Sequence, residues 1–193
     1  MSFCPGGASR RFGGGNKALA LLSETPLIAW VLERLKRQVD AVAINANGET
    51  ACYEGFGYPV FTDAGPTQDG PVAGILAALR YAAQFGFRDV MTVPCDAPLI
   101  PADLAERLRA ARGPASCAFA MVEGKLNPVF ALYRTDLCAA VAEAFDKGIR
   151  APRELADLLD ANFAVFTGEE ARALADIDTS MDLAMFLRSR LAN

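Results

Sequence analysis

Gly6-Gly7-Ala8-Ser9-Arg10-Arg11-Phe12-Gly13-Gly14-Gly15-Asn16-Lys17 packs five glycines and three cations into one segment, directly after the short apolar run that contains Phe3 and Cys4. Glycine lets a backbone approach a phosphate chain closely and offer it N–H groups, while arginine and lysine neutralise the chain's charge. A nucleoside triphosphate is the natural ligand of such a loop; the bland alternative is a glycine-rich surface loop. Two other phosphate-binding patterns fail on detail. A Walker A loop follows its lysine with a serine or threonine, whereas Lys17 lies between Asn16 and Ala18, and the segment contains no G-x-G-x-x-G spacing.

Outward from the loop, short apolar runs alternate with longer helical patterns, the signature of a mostly parallel sheet covered on both faces. Leu27, Ile28, Val31, Leu32 and Leu35 line one face of a helix expected over Pro26–Gln38. Strands are expected at Asp40–Ala46, Tyr58–Thr62, Asp89–Val93, Ser116–Val122, Pro128–Leu132 and Phe163–Phe166. Helices are expected at Pro71–Phe85, with proline at its first position, and at Pro101–Ala111, Thr135–Lys147, Pro152–Leu159 and Ser180–Leu191. Gly65-Pro66-Thr67-Gln68-Asp69-Gly70 is turn chemistry throughout. No repeat or linker divides the chain, so residues 1–193 read as a single α/β domain, with a nucleotide-binding half of about 1–103 and an acceptor-binding half of about 104–193.

Composition narrows the chemistry. The 193 residues contain no histidine, which excludes Ser-His-Asp and Cys-His catalysis and histidine-containing zinc sites. Carboxylates, lysine, arginine, backbone amides or a hard metal ion must serve instead. A net charge of −4 offers no footprint for nucleic acid. The five cysteines are scattered without C-x-x-C spacing, which suits reduced thiols in a cytoplasmic protein. Neither a signal peptide nor a membrane span is expected.

Polar residues gather where the expected strands end. Asp96, in Pro94-Cys95-Asp96-Ala97-Pro98, follows a buried strand and is a candidate ligand for Mg²⁺, which takes few protein carboxylates and completes its shell with phosphates and water. The competing role, capping the next helix, suits Asp103 or the turn itself better. Asn45 and Asp63 each close a strand; either could be a turn residue or could meet a guanine edge, which offers one acceptor and two donors. Asp178 could supply a second metal ligand or sit beside a helix cap made by Thr179 or Ser180.

The Gly-Gly-x-Ser-x-Arg-x-Gly-x-x-x-Lys loop, the Pro-Cys-Asp-x-Pro string at 94–98 and Gly70-Pro71-Val72-Ala73-Gly74 together resemble the molybdenum cofactor guanylyltransferase family. The resemblance implies a three-layer, Rossmann-like nucleotidyltransferase fold. It further implies Mg²⁺-dependent transfer of GMP from GTP to molybdopterin or Mo-molybdopterin, with release of pyrophosphate. Molybdoenzymes or other cofactor-biosynthesis proteins would be partners. Cys4, Pro5, Gly6, Gly7, Lys17, Asn45, Asp63 and Asp96 would hold the nucleotide, Asp96 and Asp178 the metal, and Arg10, Arg11, Lys17 and Asp96 would serve catalysis. The attacking phosphate is already anionic, so no general base is called for.

This chain departs from the family at several places. Cys4-Pro5 stands where Leu-Ala is usual, and Pro5 has no N–H to give. Asn127 replaces a histidine, and Asp176-Ile177-Asp178-Thr179 replaces Asn-x-Asn-Thr. Gly148-Ile149-Arg150 resembles the family's Gly-x-Arg, whose cation suits a pterin phosphate; a solvated helix-end cation is the alternative. The competing functions are a sister enzyme that uses CTP or another phosphorylated acceptor, and a catalytically silent nucleotide-binding protein.

Overall fold

A computed structural model describes the backbone of residues 2–6 and the whole of residues 16–63 and 70–174. Its strands are β1 (Ser2–Gly6), β2 (Leu21–Leu22), β3 (Thr25–Pro26), β4 (Val42–Ala46), β5 (Val60–Phe61), β6 (Asp89–Thr92), β7 (Cys117–Val122), β8 (Lys125–Arg134) and β9 (Asn162–Phe166). Helices are α1 (Leu27–Leu35), α2 (Pro71–Gln84), α3 (Leu104–Arg112), α4 (Cys138–Asp146), α5 (Pro152–Leu158) and α6 (Gly168–Ala173). Short 3₁₀ helices lie at Lys17–Leu19, Thr50–Phe56 and Thr135–Leu137.

Seven strands form one sheet in the order β5-β4-β1-β6-β8-β7-β9. Only β8 runs against the others. Helices cover both faces, which gives the three-layer α/β arrangement expected. On one face α1 and α3 bury Ile28, Val31, Leu32, Leu35, Leu104 and Leu108 against Ile44, Met91, Phe130 and Leu132. On the other, α2, α4 and α5 bury Val72, Leu76, Leu79, Val141 and Leu155 against Val90, Phe119, Ala131 and Tyr133.

The chain moves outward from β1 to β4 and β5, then returns to β6 on the opposite side of β1. In an open α/β sheet the carboxyl ends of the strands at such a reversal, here β1 and β6, are where a ligand crevice is expected. Strand β1 is longer than the two residues read from its sequence, because pairing with β4 from Ser2↔Val42 to Gly6↔Ala46 extends it through Pro5 and Gly6. The β6 side of the ladder ends earlier, at Phe3↔Thr92, so Pro5 lies beyond that side's last pair. A proline is tolerable there, although in a fully paired central strand it would not be.

Other boundaries shift for local reasons. Helix α3 starts at Leu104, not Pro101, and the Asp103 side chain makes no cap bond. Gln38 serves that end instead: its Oε1 accepts from Ala105 N at 3.0 Å and its Nε2 donates to Pro101 O at 2.9 Å. Strand β8 outruns its expected span because Glu123 and Gly124, at φ of 47° and 73°, make a two-residue hairpin that pairs Val122 with Lys125. Pro128 falls in the irregularity where the register jumps from Phe119↔Ala131 to Ala120↔Asn127, so it interrupts no pairing.

The β2–β3 hairpin, the 3₁₀ helix at Thr50–Phe56 and α6 are elements that the pattern reading did not anticipate. The loop at 7–15, the turn residues 64–69 and the helix expected at Ser180–Leu191 lie outside the described residues. Among the described residues, no helix is long and apolar enough to cross a membrane.

Cys52 is exposed, whereas Cys95 and Cys117 are buried, and all three are free thiols. Burial pushes the Cys117 thiol up to about 11, a rise that nearby Arg112 only partly offsets. A short pulse of iodoacetamide on the folded protein should therefore label Cys52 well before Cys117, an order that peptide mass mapping reads directly. Phe119 is fully buried and meets Tyr133 edge-on at 5.4 Å between ring centroids. Phe119→Ala should lower unfolding free energy by about 3–5 kcal/mol, measured by urea denaturation.

Candidate nucleotide site at the sheet's switch point

Four strand ends carry the polar residues singled out from the sequence. Chain leaving β1 leads to Lys17, β4 ends at Asn45 and Ala46, β5 is followed by Asp63, and Asp96 lies shortly beyond β6. Lys17 opens a 3₁₀ helix whose N-cap, Asn16, accepts from Ala18 N at 3.1 Å. Ala18 is fully buried, so the backbone carrying Lys17 is anchored in the core. Asn16 also donates from Nδ2 to the Tyr53 hydroxyl at 2.7 Å, tying the loop's exit to the 3₁₀ helix at Thr50–Phe56.

Across the crevice, Lys17 Nζ meets Asp96 Oδ2 at 2.5 Å, with the two side chains 7% and 15% exposed. An ion pair so little exposed holds both groups in one place, because removing either partner strands the other's charge in a poorly solvated site. The arrangement suits a polyphosphate with its counter-cation: the ammonium can neutralise phosphate oxygens, and the carboxylate can hold a hard metal ion. Among the described residues, no group of three or more histidines, cysteines, aspartates or glutamates is poised to hold a metal by itself.

The second cluster lies at the ends of β4 and β5. Alternation along β4 sends Val42, Ile44 and Ala46 to the α1 face and Asn45 to the α2 face. Asn45 is 3% exposed and donates from Nδ2 to Asp63 Oδ1 at 2.8 Å. Asn47 donates from Nδ2 to Asp63 Oδ2 at 2.8 Å and accepts from Asp63 N at 3.0 Å. On α2, a Cβ added at Gly74 would lie 3.6 Å from Asp63 Oδ1 and 3.7 Å from Asn45 Oδ1. A methyl group at this position would thus lie in van der Waals contact with two acceptors that it cannot satisfy.

Lys17 and Asp96 are thus brought together, and so are Asn45 and Asp63. Cys4, Pro5 and Gly6 are placed as backbone in β1, running into the crevice. Gly7, Arg10, Arg11 and Asp178 lie outside the described residues. Arg150, the cation of Gly-x-Arg, turns back on the preceding helix α4: its guanidinium stacks over the Phe145 ring at 3.9 Å and donates to Phe145 O at 2.5 Å. Its backbone packs against the start of α2, where a Cβ at Gly70 would meet Arg150 O at 3.2 Å.

Asn16, Asn47 and Tyr53 escaped the sequence reading. For Asn47 a signal existed, since it follows Asn45 by two residues and precedes a glycine at φ of 93°. Nothing in the sequence around Tyr53 points to Asn16.

Residues 5–162 match the family described as the MobA-like NTP transferase domain. The chain belongs to this family. Among MobA-like relatives, a molybdenum cofactor guanylyltransferase of Cereibacter sphaeroides is 45% identical over 128 residues, covering 66% of this chain and 65% of that protein. The chain therefore spans just under two thirds of that relative's length. A molybdenum cofactor guanylyltransferase of Serratia proteamaculans (strain 568) is 36% identical over 177 residues, covering 92% of this chain and 88% of its own. The crystal structure of molybdopterin-guanine dinucleotide biosynthesis protein A from Archaeoglobus fulgidus superposes with a TM-score of 0.72 at 22% identity, covering 98% of this chain and 100% of that one. This likeness establishes that the fold is shared.

The Lys17–Asp96 contact predicts a measurable coupling. In a double-mutant cycle of Lys17→Met and Asp96→Asn, the stability losses should fall short of additivity by about 1–3 kcal/mol, read from urea denaturation of all four proteins.

Proposed function

We propose that this chain transfers the guanylyl group of GTP to the terminal phosphate of molybdopterin, bare or molybdenum-loaded, and releases pyrophosphate. The observation that carries the reading is the Lys17–Asp96 ion pair across the crevice between β1 and β6. Support comes from membership of the MobA-like family and from the names of the guanylyltransferase relatives. In this reading residues 1–193 act as one nucleotidyltransferase unit in the cytoplasm. Molybdoenzymes or other proteins of cofactor synthesis receive its product.

Asn45 and Asp63 take the guanine edge, the backbone of Cys4 to Gly7 lies along the nucleotide, and Lys17 leaves its contact with Asp96 to neutralise phosphate oxygens. Asp96 fits Mg²⁺: it is a single, partly accessible carboxylate beyond a strand end, and Mg²⁺ needs only one or two carboxylates when phosphates and water complete its shell. Asp178 is the candidate for a second carboxylate. When bound, Mg²⁺ supplies charge neutralisation and alignment at the phosphates.

An oxygen of the molybdopterin phosphate bonds to the α-phosphorus of GTP as the bond from that phosphorus to the α,β-bridging oxygen breaks. The electron pair leaves on pyrophosphate, whose charge Arg10 and Arg11 receive. The nucleophile is anionic, so this chain's residues need to position and neutralise but not to abstract a proton. That requirement agrees with a sequence that has no histidine.

The test is turnover of GTP against CTP with molybdopterin and Mg²⁺, followed as pyrophosphate release. GTP-dependent release that falls by on the order of 10²–10³ in Asp96→Asn is the expected result. Exclusive use of CTP would sink the guanylyl assignment, and GTP binding without pyrophosphate release would indicate a silent nucleotide-binding protein.

A further inference from the structure

We propose that Asn47 is a positioning residue of the guanine site, holding the Asp63 carboxylate in the orientation that selects guanine. The inference rests on the reading of Asp63 as a residue that meets the base.

Asn47 makes two bonds to one residue. Its Nδ2 donates to Asp63 Oδ2 at 2.8 Å, and its Oδ1 accepts from Asp63 N at 3.0 Å. The pair forms a closed ring in which both ends of the amide are used. Turning the amide over would set oxygen against carboxylate and N–H against N–H, so its orientation is determined by its partners.

Asn45 Nδ2 meets the other carboxylate oxygen, Oδ1, at 2.8 Å. Asp63 is therefore gripped on both oxygens by neutral amides, which hold it without cancelling its charge. Each carboxylate oxygen has two acceptor positions, and among the described residues one side-chain donor is bonded to each.

Two adjacent acceptors in one plane suit guanine, whose N1–H and 2-amino groups are adjacent donors. Cytosine presents a single amino donor beside an N3 acceptor, which a carboxylate repels. The orientation of the plane therefore matters as much as the charge. Asn45 alone fixes one oxygen and leaves the carboxylate to pivot about it; Asn47 adds the second point and ties Asp63's backbone to the same amide. Its placement follows from the chain: Gly48, at φ of 93°, turns the backbone immediately after Asn47.

Inosine triphosphate isolates the contribution, since hypoxanthine keeps N1–H and lacks the 2-amino group. Calorimetric Kd values for GTP, inosine triphosphate and CTP, each with Mg²⁺, are measured for the native chain and for Asn47→Ala, Asn47→Ser, Asn47→Asp and Asp63→Ala, with thermal melts to confirm folding. The expected result for Asn47→Ala is a GTP Kd raised about tenfold, with a smaller loss for inosine triphosphate, so that the preference between the two purines narrows. Asn47→Asp keeps the acceptor for Asp63 N but sets an anion against Oδ2, and should weaken GTP further than Asn47→Ala does.

A purely structural role would lower affinity for both purine nucleotides by the same factor, and that outcome overturns the proposal. So does a GTP affinity that is unchanged in Asn47→Ala, or in Asn47→Ser should the alanine variant not fold, while Asp63→Ala loses it. An unchanged GTP affinity in Asp63→Ala overturns the reading of Asp63 itself, and the Asn47 proposal falls with it.

Discussion

The ion pair between Lys17 and Asp96 joins the ends of β1 and β6, where strand succession returns from β5 to the other side of β1. Its two residues are distant in sequence but belong to neighbouring strand ends, because β6 returns to pair with β1 after β4 and β5 have been laid down on the other side. Much of the site follows from that constraint. The ammonium must emerge from a buried backbone, which Ala18 provides, and the carboxylate must follow a strand enclosed by its neighbours, which β6 provides. Neither charge is well placed without the other, since each is largely shielded from water.

The segment from Asn47 to Asp63 connects the two polar clusters. At its start Asn47 holds Asp63, and in its middle Tyr53 accepts from Asn16, the neighbour of Lys17. One segment of chain, with a 3₁₀ helix at Thr50–Phe56 inside it, therefore reaches both polar clusters. Tyr53 is buried in the same core as α1 and α3, so the link is anchored and not a surface contact between two loops.

Across the sheet, the second half is built around the reversed strand β8. Its pairing with β6 covers Ala131 to Arg134, and its earlier residues pair only with β7. Asn127 lies in that earlier stretch, beside the irregularity that accommodates Pro128. Arg150 joins this half to the first by packing its backbone against Gly70 at the head of α2, while its guanidinium satisfies the last turn of α4. The glycine matters here for a stated reason: its φ is 80° and its missing side chain leaves the space that Arg150 occupies.

Sequence by itself determined the fold class, most of the strands and helices, and the residue types available for chemistry. Those features are local: apolar periodicity, Pro71 at a helix start, turn chemistry, and the complete absence of histidine can each be read without knowing what packs against what. It also identified Lys17, Asp96, Asn45 and Asp63 as polar residues near strand ends. Tertiary structure alone decided that these four form two bonded pairs, that β1 runs on through Pro5, and that Gln38 and not Asp103 caps α3. The reason is common to all of these. Each depends on a partner from a distant part of the chain, and strand order, which brings such partners together, leaves no periodic mark in the sequence.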